Sequence, residues 1–299
     1  MKVRRVPKDT LGMLATADWV DTSRKPCIEE EIAWVPVKEG EPFDREIPER
    51  SRYRGRGYYM IGEIAVIHGP RPDPAAIEEI VAFRNPRGIL WLESLNDVTR
   101  TPHAHLVWGE GGEVSHKESG YTYSLDPAQV MFAQGNRNEK MRMASRIITS
   151  QIKSCGHAGR GRVADMFAGI GYFTIPMAGA GASVHAMEIN PVSFGYLTRN
   201  IQKNNLSDRI CPSLGDCRTL LKGTYDRIIM GHFDAIGMLP SVIPHVTAGS
   251  IIHLHSIGPV EEEIRAVMEV AGFSVSIDVH KIKKYRPHAW HVVQDVTLG

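Results

Sequence analysis

"DMFAGIGYFTIP", Asp165 to Pro176, is the stretch that decides the fold. An apolar run, "RVADMF", leads into it and an apolar, helix-like run, "YFTIPMAGA", leads out, with Gly169 and Gly171 one residue apart in between. Glycines in that place let the chain turn tightly and let a ligand touch backbone that a Cβ would obstruct. In an open α/β sheet the ligand sits at the carboxyl ends of the strands, beside the first strand-to-helix turn. The spacing therefore predicts a nucleotide-like cofactor over Asp165 to Gly171, with Asp165 and Phe167 coming from the strand.

Downstream the pattern alternates: "SVHAME" reads as strand, "PVSFGYLTRNIQKN" as helix, "RICPSLG", "YDRIIMG" and "GSIIHLHS" as strands, and "VEEEIRAVMEVAG" as helix. Near-continuous apolar strands alternating with helices argue a doubly wound, mainly parallel sheet of the α/β class. "FSVSIDVHKI" and "AWHVVQDVTL" have no helix between them. They are expected to form an antiparallel hairpin at the sheet edge, joined by the basic loop "KKYRPH". Glu188 closes the second strand about 20 residues past the glycines, where a carboxylate accepts ribose hydroxyls. Asp216, after the third strand, is placed to meet an adenine amino group. Thr174 replaces the third glycine of a dinucleotide fingerprint. That replacement and the terminal hairpin resemble the class I, Rossmann-like fold of the methyltransferases that use S-adenosylmethionine (SAM), which implies S-adenosyl-L-methionine rather than a nicotinamide cofactor.

Upstream, a strand is expected near Ile61 to Ile67, a helix over "DPAAIEEIVAFR" with Pro74 in its first turn, strands in "GILWLES" and "AHLVWGE", and a long helix from Asn138 to Lys153. With 299 residues the chain is long enough for two domains. The expectation is a smaller N-terminal α+β domain over 1–128, irregular at its start, and a SAM-binding catalytic domain over 129–299.

Composition narrows the partners. A net charge of +1 does not imply whole-protein attraction to nucleic acid, leaving local patches to supply it. "SRYRGRGYY" interleaves Arg52, Arg54 and Arg56 with Tyr53, Tyr58 and Tyr59, and "KIKKYRPH" supplies Lys283, Lys284 and Arg286 on the cofactor side of the sheet. Cations for phosphate with aromatics for stacking suit RNA. No apolar stretch approaches the roughly 18 residues of a membrane helix and no signal peptide is evident, so a cytoplasmic protein is expected. The 4 cysteines, Cys27, Cys155, Cys211 and Cys217, contain no CxxC pair, and His253 and His255 of "HLH" read as structural histidines of a buried strand. No metal is expected. Oligomeric state stays open.

Four stretches, "DMFAGIGYFTIPMA", "HAMEINPVSFGYLTRNIQKNNL", "LGDCR" and "KKYRPHAWHVVQDV", together resemble the group that unites the archaeal and eukaryotic tRNA guanine-37 N1-methyltransferases with the wybutosine-pathway tRNA aminocarboxypropyltransferases. The resemblance covers about residues 60 to 299. "VMFAQGNRNEKMRMA" and "EIN" at Glu188 to Asn190 are similar to the aminocarboxypropyl branch, and "MGHFDA" at Met230 to Ala235 stands where the methyltransferases carry an Asn-Pro motif. What the resemblance implies is transfer of the 3-amino-3-carboxypropyl group of SAM to C7 of 4-demethylwyosine at position 37, in the tRNA anticodon loop, a step of wyosine derivative biosynthesis. It also implies cofactor contacts through Ala133, Asn136, Lys140, Asn190 and Cys217, beside Asp165, Phe167, Gly169, Gly171, Glu188 and Asp216. Ala133 stands in the place of the family's serine and Lys140 in that of its usual arginine. Water or His232 is the candidate to take up the proton the base loses. Methylation at guanine-37 is the alternative; an RNA-binding module without catalysis and a small-molecule methyltransferase are the others.

Overall fold

The computed structural model describes residues 1–14, 17–48, 53–96, 99–132, 134–149 and 161–299. The chain forms two compact units, Met1–Arg54 and Gly55–Gly299.

The first unit is a four-stranded antiparallel sheet of β1 (Lys2–Pro7), β2 (Cys27–Glu29), β3 (Ile32–Pro36) and β4 (Arg45–Glu46), in the order β2-β3-β1-β4. Val20, Ala33 and Val35 make its core. The sequence reads as irregular here because only Val3 of β1 is fully buried, so the period-2 signal of a strand is thin.

The second unit contains two larger sheets. The first is β5 (Tyr59–Ile61), β6 (Ile64–His68), β7 (Gly88–Asn96) and β8 (Thr101–Gly109), in chain order, with helix α1 (Pro74–Arg84) crossing between the parallel pair β6 and β7. Helix α1 starts where its residues dictate. Asp73 caps it by accepting the Ala76 N–H at 2.8 Å, Pro74 occupies the first turn, and Asn85 ends it in the left-handed region at φ 45°. A hairpin, β9 (Val114–Glu118) and β10 (Tyr121–Leu125), leads to α2 (Arg137–Thr149).

The second sheet is built from β11 (Arg162–Asp165), β12 (Ser183–Glu188), β13 (Ile210–Leu214), β14 (Arg227–Met230), β15 (Ile251–Ile257), β16 (Val275–Arg286) and β17 (Ala289–Leu298), in the order β13-β12-β11-β14-β15-β17-β16. The first five strands are parallel and β17 runs antiparallel to both its neighbours. Helices α3 (Thr174–Gly179), α4 (Pro191–Lys203), α5 (Cys217–Leu220), α6 (Leu239–Val242) and α7 (Glu261–Val270) connect them. Every residue of β14 is buried, as a parallel strand covered on both faces requires. This is the doubly wound sheet with a terminal hairpin that the alternation predicts.

Two expectations change. Lys283, Lys284 and Arg286 lie within β16, not on a loop, because two bulges let its pairing with β17 continue to Arg286↔Ala289. The turn is Pro287 and His288 alone, the latter at φ 60°. The compact division also falls at 54/55 and not at 128/129. One hydrophobic core runs without a break from Ile61, Val66 and Leu90 through Phe132 and Met143 to Val163 and Ile170. Asn200 of α4 adds a polar tie: it accepts the Ser124 N–H at 2.7 Å and donates to the Ile170 carbonyl at 3.0 Å.

Candidate active site

Strand β11 ends on Asp165, which is fully buried. Its carboxylate accepts the Thr174 hydroxyl at 2.6 Å and the Phe167 N–H at 3.4 Å, and burial raises its pKa to about 6. Asp165 thus clasps both ends of the turn from beneath and does not reach the cavity above it. Thr174, at the place of a third glycine, is its partner. Gly169 and Gly171 have φ of 57° and 105°, in the region that favours glycine. A Cβ on Gly169 would stand 2.7 Å from the Tyr172 ring, and one on Gly171 2.7 Å from Ile175 Cδ1. Gly169 borders the cavity and Gly171 packs behind it.

Glu188, at the end of β12, reaches across to the turn. One carboxylate oxygen accepts the Gly169 N–H and the other the Asn190 N–H, both at 2.7 Å. Burial raises its pKa while these N–H groups pull it back. Each oxygen keeps a lone pair for a hydroxyl donor. Asn190 itself caps α4, accepting the Val192 N–H at 2.9 Å, and lies off the cavity wall. Asp216 caps α5 and is held by the Arg218 guanidinium at 3.0 Å, which with the Arg218 N–H lowers its pKa. Cys217 lines the cavity with its thiol pushed up to about 11, chiefly by burial, so it is protonated at neutral pH.

The cavity holds about 730 Å³ and lies wholly within the second unit. The glycine turn, Glu188 and Asp216 bound one end. At the entry to α2, Asn136 contributes a buried side-chain oxygen without a partner, and Lys140 is buried with its ammonium 2.8 Å from Glu118 and over the rings of Phe132 and Tyr172, at 4.6 and 4.9 Å. Burial lowers the Lys140 pKa against the pull of Glu118. Past β14, His232 stacks on Phe167 with centroids 5.4 Å apart, and burial followed by Arg100 lowers its pKa.

The far end is aromatic and cationic. Phe233 meets Tyr285 and His291 edge-on at 5.2 and 5.0 Å, and the Arg100 guanidinium stands 5.4 Å over its ring. Lys283 lines this end, its pKa lowered by burial and by Arg100. His255 and His291 share a hydrogen bond of 3.0 Å, and each leaves its other ring nitrogen buried without a partner. Burial, then the neighbouring imidazole, holds His255 far below the usual range; burial and Lys283 bring His291 to about 4. The pair is neutral at physiological pH. Of the two histidines in "HLH", only His253 is remote from the cavity, bound to Asp295 at 2.6 Å. Tyr59, His68 and Pro102 close the cavity from the first sheet. Nothing in the sequence of those strands tells which face meets the second sheet; an aromatic at the start of one strand and a histidine at the end of the next are the only marks.

Arg52 and Ala133 lie outside the described residues. Arg54, Lys284 and Arg286 are exposed. Arg56 is engaged: it donates to the His68 carbonyl at 2.7 Å and to that of Pro70, fastening the loop after β6.

A glycine turn answered by a buried carboxylate, on a parallel sheet that ends in an antiparallel hairpin, defines the class I fold of SAM-dependent methyltransferases. The sequence profile of the family described as "TRM5/TYW2 methyltransferase domain" matches residues 114–283. A Methanocaldococcus jannaschii protein named tRNA(Phe) (4-demethylwyosine(37)-C(7)) aminocarboxypropyltransferase is 34% identical over 255 residues, covering 81% of this chain and 97% of its own. Among solved structures, Pyrococcus horikoshii TYW2 in complex with MeSAdo superposes with a TM-score of 0.69 at 27% identity, over 82% of this chain and 92% of that one. Trm5b from Pyrococcus abyssi superposes with a TM-score of 0.73 at 26% identity over the whole of both chains. The chain belongs to the TRM5/TYW2 family.

Proposed function

We propose that this chain transfers the 3-amino-3-carboxypropyl group of SAM to C7 of 4-demethylwyosine at position 37 of tRNA. The observation that carries the reading is that one cavity joins the Gly169–Glu188–Asp216 end to the Arg100–Phe233–Tyr285 end, with room for a cofactor and an extruded base together. The relative at 34% identity over nearly its full length, which bears the name of this activity, supports the same choice.

The residues fit the cofactor. Gly169 brings the turn to the cavity wall in a left-handed backbone, Glu188 has lone pairs to accept ribose hydroxyls, and the unpartnered Asn136 oxygen awaits a donor. Asp216 would take the adenine amino group. Bound there, SAM supplies a sulfonium with three electrophilic carbons, and the one that reacts is the one aligned with the nucleophile. Phe167 and Ile189 exclude water along the wall. Phe233 with Arg100 offers a stacking and cationic shelf to the base. His232, neutral and at the wall between the two ends, takes the proton released from C7. Lys284, Arg286 and Arg54 supply exposed cations for phosphate. Among the described residues no helix is long and apolar enough to cross a membrane.

The test is incubation with tRNA carrying 4-demethylwyosine and SAM labelled in either the carboxyl or the methyl carbon. Carboxyl label in the base, with methylthioadenosine released, is expected; methyl label with S-adenosylhomocysteine released overturns the proposal. His232→Ala is expected to slow turnover by about a hundredfold, the low end for a general base; turnover near wild type removes it from that role.

A further inference from the structure

On the face of the first sheet away from the cavity, three side chains converge that the reaction does not use. Strands β7 and β8 pair antiparallel with Trp91 opposite His105, and the register slips between Leu92 and Ser94, making Glu93 the extra residue of a bulge. A bulge re-aims a side chain and persists where that aim has a use. Here the Glu93 carboxylate oxygen comes to 2.8 Å from His103 Nδ1 and 3.1 Å from His105 Nε2. The two imidazole centroids are 4.8 Å apart. One donor atom from each of the three residues lies within 4.8 Å of the others. Trp91 stacks on His105 at 5.1 Å and is itself fixed by donating its indole N–H to the Gly69 carbonyl at 2.8 Å, so one ligand ring is already oriented.

Two imidazoles and a carboxylate are the donor set of an open zinc site. Zinc bonds of about 2.0–2.1 Å in tetrahedral geometry place neighbouring donor atoms about 3.3 Å apart, so the two carboxylate–imidazole spacings need to widen by only a few tenths of an ångström, while the two imidazole nitrogens, within 4.8 Å of each other, draw together by side-chain rotation. Glu93 and His103 are exposed and His105 is half-buried, which leaves an entry path and a fourth position for water.

We propose that Glu93, His103 and His105 bind one zinc ion, contrary to the metal-free chain expected from cysteine spacing. The site ties β7 to β8 beside Leu95 and Pro102, which face the cavity, so an ion there stiffens the wall that carries Arg100.

The experiment strips the full chain of metal with a chelator, titrates it with zinc chloride by calorimetry, and records the visible spectrum with cobalt(II) in zinc's place. Saturation at one equivalent is expected, with the intense cobalt bands of four-coordinate geometry. Glu93→Gln, His103→Ala and His105→Ala should each weaken zinc binding at least about tenfold, while SAM binding, measured alongside, shows that the variants fold. Absence of saturable zinc binding, an octahedral cobalt spectrum in the unaltered chain, or equal zinc affinity in all three variants overturns the proposal.

Discussion

Lys140 carries a charge into an almost dry place, with 2% of its surface exposed, and Glu118 is the carboxylate that answers it. Such a pair adds little net stability, yet breaking it strands a charge. Glu118→Ala is therefore expected to cost about 3–5 kcal/mol in chemical denaturation. Joint replacement by Lys140→Met and Glu118→Gln should cost less than the single change, because neither charge is left behind. His291 sets a pH dependence. Its folded pKa of about 4 lies below the ordinary 6.5, so its share of stability is complete above pH 6.5 and is lost as pH falls towards 4. Unfolding free energy should drop by up to about 3 kcal/mol over that window beyond what His291→Gln shows.

At the next scale, the turn and the helix it feeds separate two roles that sequence alone merges. Asn190→Ala removes the cap of α4 and should lower stability by about 1 kcal/mol, with SAM affinity by calorimetry unchanged within twofold. Gly169→Ala places a Cβ against Tyr172 in a left-handed backbone, and should weaken SAM binding at least about tenfold as well as destabilise. The glycine turn, the βα alternation and the final hairpin were legible because each is a local pattern: two glycines between apolar runs, strand and helix periods in turn, two strands with nothing between. Asp165 and Asn190 were legible as members of the site, but their work is inside the turn and the helix cap, since spacing cannot say whether a polar side chain faces up or down. The first sheet's contribution was hidden for a different reason. Tyr59, His68 and Arg100 reach the cavity only through the packing of one sheet on another, and no period in the chain records that. Lys283 looked like a loop cation because bulges that prolong a hairpin leave no residue signature.

For the molecule as a whole, every residue of the cavity belongs to Gly55–Gly299. A chain starting at residue 55 is expected to bind SAM within threefold of the full-length affinity, whereas loss of tRNA binding on the same truncation would locate an RNA contact in the first unit. The order β15-β17-β16 has a further consequence for how the molecule comes into being. On a translating ribosome β16 leaves the exit tunnel before the strand it must pair with, and β15 waits with a bare edge carrying Ile252 and Leu254. A nascent chain whose emerged part ends between residues 258 and 288 therefore displays an unpaired apolar strand, the kind of edge that recruits other chains. Only when residues 289–298 have emerged does the last inner strand slot into place, delivering His291 and seating Lys283 and Tyr285, so the enzyme has no working pocket until that strand is free of the tunnel.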